Sequence, residues 1–209
     1  VSLSKSWDLS FWQNLTLANY RFVLFEYNVT QRAIFNSLLL ATAAASIAVV
    51  LGAIISWIDV RTRAPGRRLL DYVALTPLGL PGIVMAVALI QFWLTMPVAL
   101  YGTLTILVLA YVGRYIPLGV RAANASLRQI DPSLEESARI LGARWGRTLR
   151  EITLPLIRPA LMVAVIFRGL DALRIFDLIY VLTPNSERTI SMSVFARQNL
   201  FDFDKFAYG

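Results

Sequence analysis

Four charges at three-residue spacing, Arg168, Asp171, Arg174 and Asp177, stand inside a stretch that is otherwise largely apolar. Alternating signs at i,i+3 allow consecutive ion pairs along one helix face. Each such charge costs roughly 2.5–3.5 kcal/mol at the centre of a membrane helix, so pairing offsets a real penalty. Two roles fit the pattern: a salt-bridge ladder that holds helices together, or a polar stripe facing a translocation path. The residue types alone do not separate them. Covalent chemistry has little to work with. The chain contains neither cysteine nor histidine, which removes disulfides, thiolate nucleophiles, the usual zinc sites and imidazole general bases. No cofactor and no metal are expected.

The elements that position these charges are membrane spans. Only 16% of the residues are charged, against roughly 25% in an ordinary soluble domain. No charge occurs from Ala33 to Ile58, or from Tyr72 to Gly113. About 20 apolar residues cross the hydrocarbon core, so the first run is one span and the second must fold back on itself. Spans are predicted at about 36–58, 72–94 and 103–120, with a fourth after Pro159. Asn36-Ser37 can cap the first, and its Ala41, Ala43, Ala44, Ala45, Ser46 and Gly52 suit close helix approach in lipid. Pro77, Gly79, Pro81 and Gly82 make the second span either a kinked packing helix or one bent to line a pathway.

The net charge of +7 reports topology rather than nucleic-acid binding. Twelve of the twenty basic residues fall in the two gaps between apolar runs, from Arg61 to Arg68 and from Arg114 to Arg158. Basic residues are enriched in this way in cytoplasmic loops, and no nucleic-acid reading module is present. Alternation then puts residues 1–32, the turn near 97–102 and the charge-balanced tail outside. Trp7, Phe11, Trp12, Tyr20 and Tyr27 in the leading segment suit either the membrane interface or helix packing. The expected organisation is an all-α polytopic membrane helical bundle of about four spans. It divides into an external or interfacial segment (1–35), a transmembrane domain (36–183) that includes a cytoplasmic loop (121–159), and an external tail (184–209). The chain opens on Val1 and ends at Gly209 before a further span would begin, so sequence is expected to be missing at both ends.

The loop from Asp131 to Pro159 reads as two short helices and a turn. Asp131 is a good N-cap and Pro132 suits the first helical position. Leu134, Ala138 and Leu141 fall on one face, and Gly142 can take the left-handed conformation that ends a helix. Trp145, Leu149 and Ile152 repeat the pattern, and Pro155 is expected to stop the second helix. An amphipathic hairpin between spans needs a cover, and periodicity permits lipid headgroups or a protein partner alike.

Glu136-Ser137-Ala138, then Gly142, Ile152 and Leu154-Pro155 resemble the signature loop of type-1 ABC importer permeases, the binding-protein-dependent inner-membrane components. Ser137 stands where that pattern has its first alanine. The resemblance implies that this loop forms coupling helices docked in a cleft of an ATP-hydrolysing subunit, with Glu136, Ser137, Ala138, Gly142 and Ala143 at the contact. Arg139 and Arg144 could add charge pairs at its rim. It implies as partners two cytoplasmic ATP-binding subunits, a second permease subunit (identical or homologous), an extracytoplasmic solute-binding protein and the bilayer. The location implied is the plasma (inner) membrane of a prokaryote. No ATPase site of its own is expected, and the nearest imitation of G-x-x-x-x-G-K-[ST], Gly142 to Thr148, has the wrong spacing and no lysine. The stretch from Asn19-Tyr20 to Asp131 looks most like ferric-iron permeases. Leu170–Thr183, Ser191-Met192 and Phe201–Gly209 look more like sugar permeases of the maltose and trehalose type, and a sugar is the slightly preferred substrate. The rival class is a gradient-driven secondary transporter or channel, which the Arg168–Asp177 charges would serve.

Overall fold

The computed structural model describes residues 16–97, 100–183 and 186–203, the side chains of Arg139 and Trp145 excepted. Trp7, Phe11, Trp12 and the end of the tail from Asp204 to Gly209 therefore lie outside the described residues. The first uncharged run forms the middle of α1 (Asn28–Arg61), a helix of 34 residues and thus about 50 Å long. It begins well before the predicted cap. Asn36 and Ser37 are buried inside it and serve the far end of the chain instead. The Asn36 Nδ2 donates to the carbonyls of Arg188 at 3.0 Å and Ile190 at 2.9 Å, and the Met192 N–H donates to Ser37 Oγ at 2.9 Å. Inside a helix the backbone N–H groups are already satisfied, which frees these side chains for the tail's orphan groups.

The second span is broken. Gly66, at φ +81°, turns the chain into α2 (Arg67–Leu75), and a 3-10 turn (Thr76–Gly79) precedes α3 (Gly82–Thr95). The two halves are bent by 113°. Pro77 and Pro81 supply no N–H to bridge the break, so one continuous span over 72–94 is not formed. The third span, α4 (Leu104–Gln129), outruns its predicted end by a full two turns. Arg114 consequently lies near its middle and not towards its inner end.

α1 and α4 form the core contact, and small residues make it possible. Ala41, Ala44, Ala45, Ala48 and Gly52 of α1 are buried. A Cβ on Gly52 would lie 2.6 Å from the Gly119 carbonyl carbon, and one on Gly119 would lie 2.7 Å from the Ala48 oxygen. Backbone touches backbone, as small residues allow between helices in lipid. Ser56 Oγ donates to the Val120 carbonyl at 2.9 Å just beyond the crossing.

After α5 (Pro132–Ile140), a short turn (Trp145–Thr148) and a π-helical turn (Leu149–Thr153) lead directly into α6 (Leu154–Leu173). Pro155 does not stop a helix. It sits in the first turn of α6, behind a widened turn in which the Leu154 N–H bonds to the Leu149 carbonyl. A proline at that point forfeits little. The hairpin's second arm is thus the root of the fourth span, which starts before Pro159. Two short helices follow, α7 (Asp177–Leu182) and α8 (Met192–Arg197), and a π-helical turn (Gln198–Asp202) continues α8.

Among the described residues, three helical stretches, α1, α4 and Gly146–Leu173, are long and apolar enough to cross a membrane, and the bent pair α2–α3 makes a fourth if it is counted as one span. Arg61 bonds to carbonyls at the end of α4, so the end of α1 and the hairpin share one end of the bundle. The Asn36 bonds bring the start of α1 to the tail at the other.

Candidate functional site

The hairpin is built by local rules. Asp131 Oδ1 accepts the Ser133 N–H at 2.9 Å, opening α5 at Pro132. Bonds from the Ser133 backbone N–H and hydroxyl hold the exposed Asp131 carboxyl below its usual range, with the Arg61 charge adding to the effect. Gly142, at φ +82°, ends the helix. The Leu141 N–H donates to the Ser137 carbonyl at 3.1 Å and the Ala143 N–H to the Ala138 carbonyl at 2.9 Å, a glycine-terminated C-cap.

The apolar face expected of α5, Leu134, Ala138 and Leu141, is split between the inside and the surface. Glu135 and Ala138 are buried, whereas Leu134 is exposed and Ile140 and Leu141 are 85% and 87% exposed. Of the five expected contact residues, Glu136, Ser137 and Gly142 are exposed and Ala143 is half-buried. Ala138 is only 8% exposed and packs the hairpin itself. It shares a face with Glu135, and that face is drawn inward by charge.

Glu135 went unremarked in the sequence beside its neighbour Glu136. Its Oε1 lies 3.3 Å from Arg61 Nε, both side chains being 9% exposed. The Nε is off line for a hydrogen bond, so the contact is ionic. Thr153 Oγ1 donates to the same oxygen at 2.8 Å. Arg61 Nη2 donates to the carbonyls of Leu127 at 3.0 Å and Ile130 at 2.8 Å. The signal available in the sequence was the i,i+3 spacing of Glu135 and Ala138, which puts the two on one face of a helix.

The second site surrounds the broken span. Arg168 Nη1 and Asp171 Oδ2 pair at 2.8 Å, but the ladder stops there. α6 ends at Leu173, Arg174 caps it and is exposed, and Asp177 begins α7. Consecutive pairing along one helix is therefore corrected to a single pair, because the chain leaves the helix between the second pair's members. Asp177 instead stands over Gly82 at the start of α3. Arg114 Nη1 donates to the carbonyls of Pro77 at 3.2 Å and Leu80 at 2.5 Å, at the break itself. Arg114 and Asp177 thus stand on the two sides of the break, Arg168 and Asp171 pair on α6, and Arg174 stays exposed. The sequence signal for Arg114 was a single charge at the close of a long apolar run, well before the next one at Arg121.

Long apolar helices around a charged, broken span, with a helical hairpin standing off one end, define an all-α bundle of candidate membrane spans. The chain belongs to the family of binding-protein-dependent transport system inner membrane components, whose family model matches residues 48–204. It is 34% identical over 169 residues to ferric transport system permease protein FbpB 1 of Haemophilus influenzae, covering 79% of this chain and 26% of that one. It is 42% identical over 99 residues to trehalose transport system permease protein SugA of Mycobacterium tuberculosis, covering 47% of this chain and 32% of that one. The chain thus spans about a quarter to a third of the length of these curated relatives. A crystal structure of a bacterial alginate ABC transporter in complex with an alginate pentasaccharide-bound periplasmic protein shares the fold. Its TM-score is 0.75 at 18% identity, over 96% of this chain and 77% of that one. Both kinds of relative read in the sequence, ferric and sugar, are present among the matches.

Proposed function

We propose that the chain forms the translocation path of an ATP-driven importer and docks a separate ATP-hydrolysing subunit on its hairpin. The observation that carries this is the hairpin tip. Ile140 and Leu141 are almost fully exposed beside exposed Glu136, Ser137 and Gly142, at the basic, cytoplasmic end of the bundle. Apolar residues so exposed on a capped, rigid helix suit insertion into a protein cleft. Glu136, Ser137, Gly142 and Ala143 form the contact, and Ala138 supports it from behind. A second permease subunit covers the outward apolar faces of α3 and α6, and a solute-binding protein meets the opposite end. Reversing the charge in Glu136→Lys tests the dock. The ATPase subunit should no longer co-purify, and an unaltered complex would remove Glu136 from the interface.

Arg168, Asp171 and Asp177, with Arg114, line the path, and Arg174 stands at its edge. Arg and Asp together pair well with hydroxyl groups, which supports a sugar as cargo. Ferric iron is the second reading, favoured by the longer match to a ferric permease. Uptake assays in proteoliposomes, with sugar-binding and iron-binding proteins supplied in turn, separate the two. Uptake driven by an ion gradient without ATP would sink both.

A further inference from the structure

Resting on that docking role, we propose that Glu135, Arg61 and Thr153 form a buried strut that transmits movement of the hairpin to the spans. Four elements meet at this point. Glu135 belongs to α5, Arg61 to the last turn of α1, and Thr153 to the π turn at the root of α6. Arg61 also holds the carbonyls of Leu127 and Ile130, at the end of α4. One carboxylate oxygen and one guanidinium therefore tie the hairpin to the inner ends of three spans.

Its partners give the strut direction. Glu135 and Glu136 are adjacent on α5, yet one is buried on Arg61 and the other faces outward. Glu135 is thus the residue by which the body of α5 reaches Arg61, in addition to the Ile130 carbonyl at its base. Burial excludes water from the ion pair, and in a dry setting a charged pair with fixed hydrogen bonds holds one geometry. Apolar residues in its place would stabilise a fold as well or better without fixing a register. Arg61 Nη2 is already committed to two carbonyls, so the guanidinium cannot swing after a departing carboxylate without releasing α4.

Glu135→Gln tests the strut while keeping the side chain's size and the oxygen that accepts from Thr153. The chain has no cysteine, so spin labels can be placed cleanly through Ala64→Cys and Leu141→Cys in reconstituted permease. The parent should give one narrow distance distribution, and E135Q a broad one. In the complex with its ATPase, transport per ATP should fall at least tenfold in E135Q while hydrolysis continues, and Glu135→Asp should recover part of it. Thr153→Val, which removes one hydrogen bond and no charge, should broaden the distances less and serves if E135Q folds poorly. An unchanged distance distribution, or unchanged transport per ATP in folded E135Q, overturns the strut. If the parent itself couples to no ATPase, the docking role fails, and the label distances still decide whether the strut holds the hairpin.

Discussion

Gly82 opens α3 directly under the Asp177 carboxylate, so closely that a Cβ on Gly82 would overlap Oδ2 and lie 2.7 Å from Cγ. A carboxylate at a helix N-terminus offsets the exposed N–H groups there. Arg114 does the reverse for the preceding half, capping the carbonyls of Pro77 and Leu80. The broken span is thus held by one charge of each sign. Asp177→Asn should destabilise the protein by about 1 kcal/mol, seen as a lower thermal midpoint in detergent. Gly82→Ala should also destabilise, and its cost should largely vanish in the Asp177→Ala background. Additive costs would show that the two residues do not meet.

Gly142 needs φ near +82°, which a β-branched residue avoids at a cost of roughly 1–2 kcal/mol. Gly142→Val should leave the bundle folded but displace the tip of α5. ATP hydrolysis by the assembled complex should then proceed with little solute uptake. Unchanged uptake by this variant would count against the turn as part of the coupling surface.

Asn36 satisfies two carbonyls from the far end of the chain. Leaving buried acceptors unpaired costs about 1–3 kcal/mol. Asn36→Ala should therefore lower stability by that amount and raise protease cleavage near Arg188 before the rest of the bundle opens. Cleavage at the parental rate would show that the tail is anchored by other contacts.

The Asp131 carboxyl is held below its ordinary value, chiefly by the Ser133 backbone N–H and then by the Ser133 hydroxyl. A depressed carboxyl contributes stability above the unfolded value of about 3.9 and loses it as pH falls through the folded value. Hydrogen exchange at the Ser133 amide should thus accelerate as pH drops below about 4, beyond the intrinsic trend. Asp131→Ala should show fast exchange at every pH. An acid-insensitive parent would mean that the cap is not formed in solution.

Much of the architecture was legible in the residues because apolar length and charge placement act locally. Ala33–Ile58 had to cross a membrane, the arginines had to stay on one side of it, and Gly142 and Asp131 carry their cap geometry in their own chemistry. The family pattern at Glu136, Gly142 and Leu154-Pro155 drew attention to the hairpin before its shape was known. What local rules could not supply was partnership. Asn36 looked like a helix cap because no sequence rule brings Ile190 beside it, and Pro155 looked like a stop because no sequence rule announces the π turn behind it, whose last residue, Thr153, bonds to Glu135. The four charges looked like one ladder until the chain left the helix at Arg174 and carried Asp177 across to Gly82. Spans and caps follow from the chain's own periodicity. Which carboxylate turns inward to Arg61, and which charge closes a broken helix, depends on residues dozens of positions apart, and only the folded bundle brings them together.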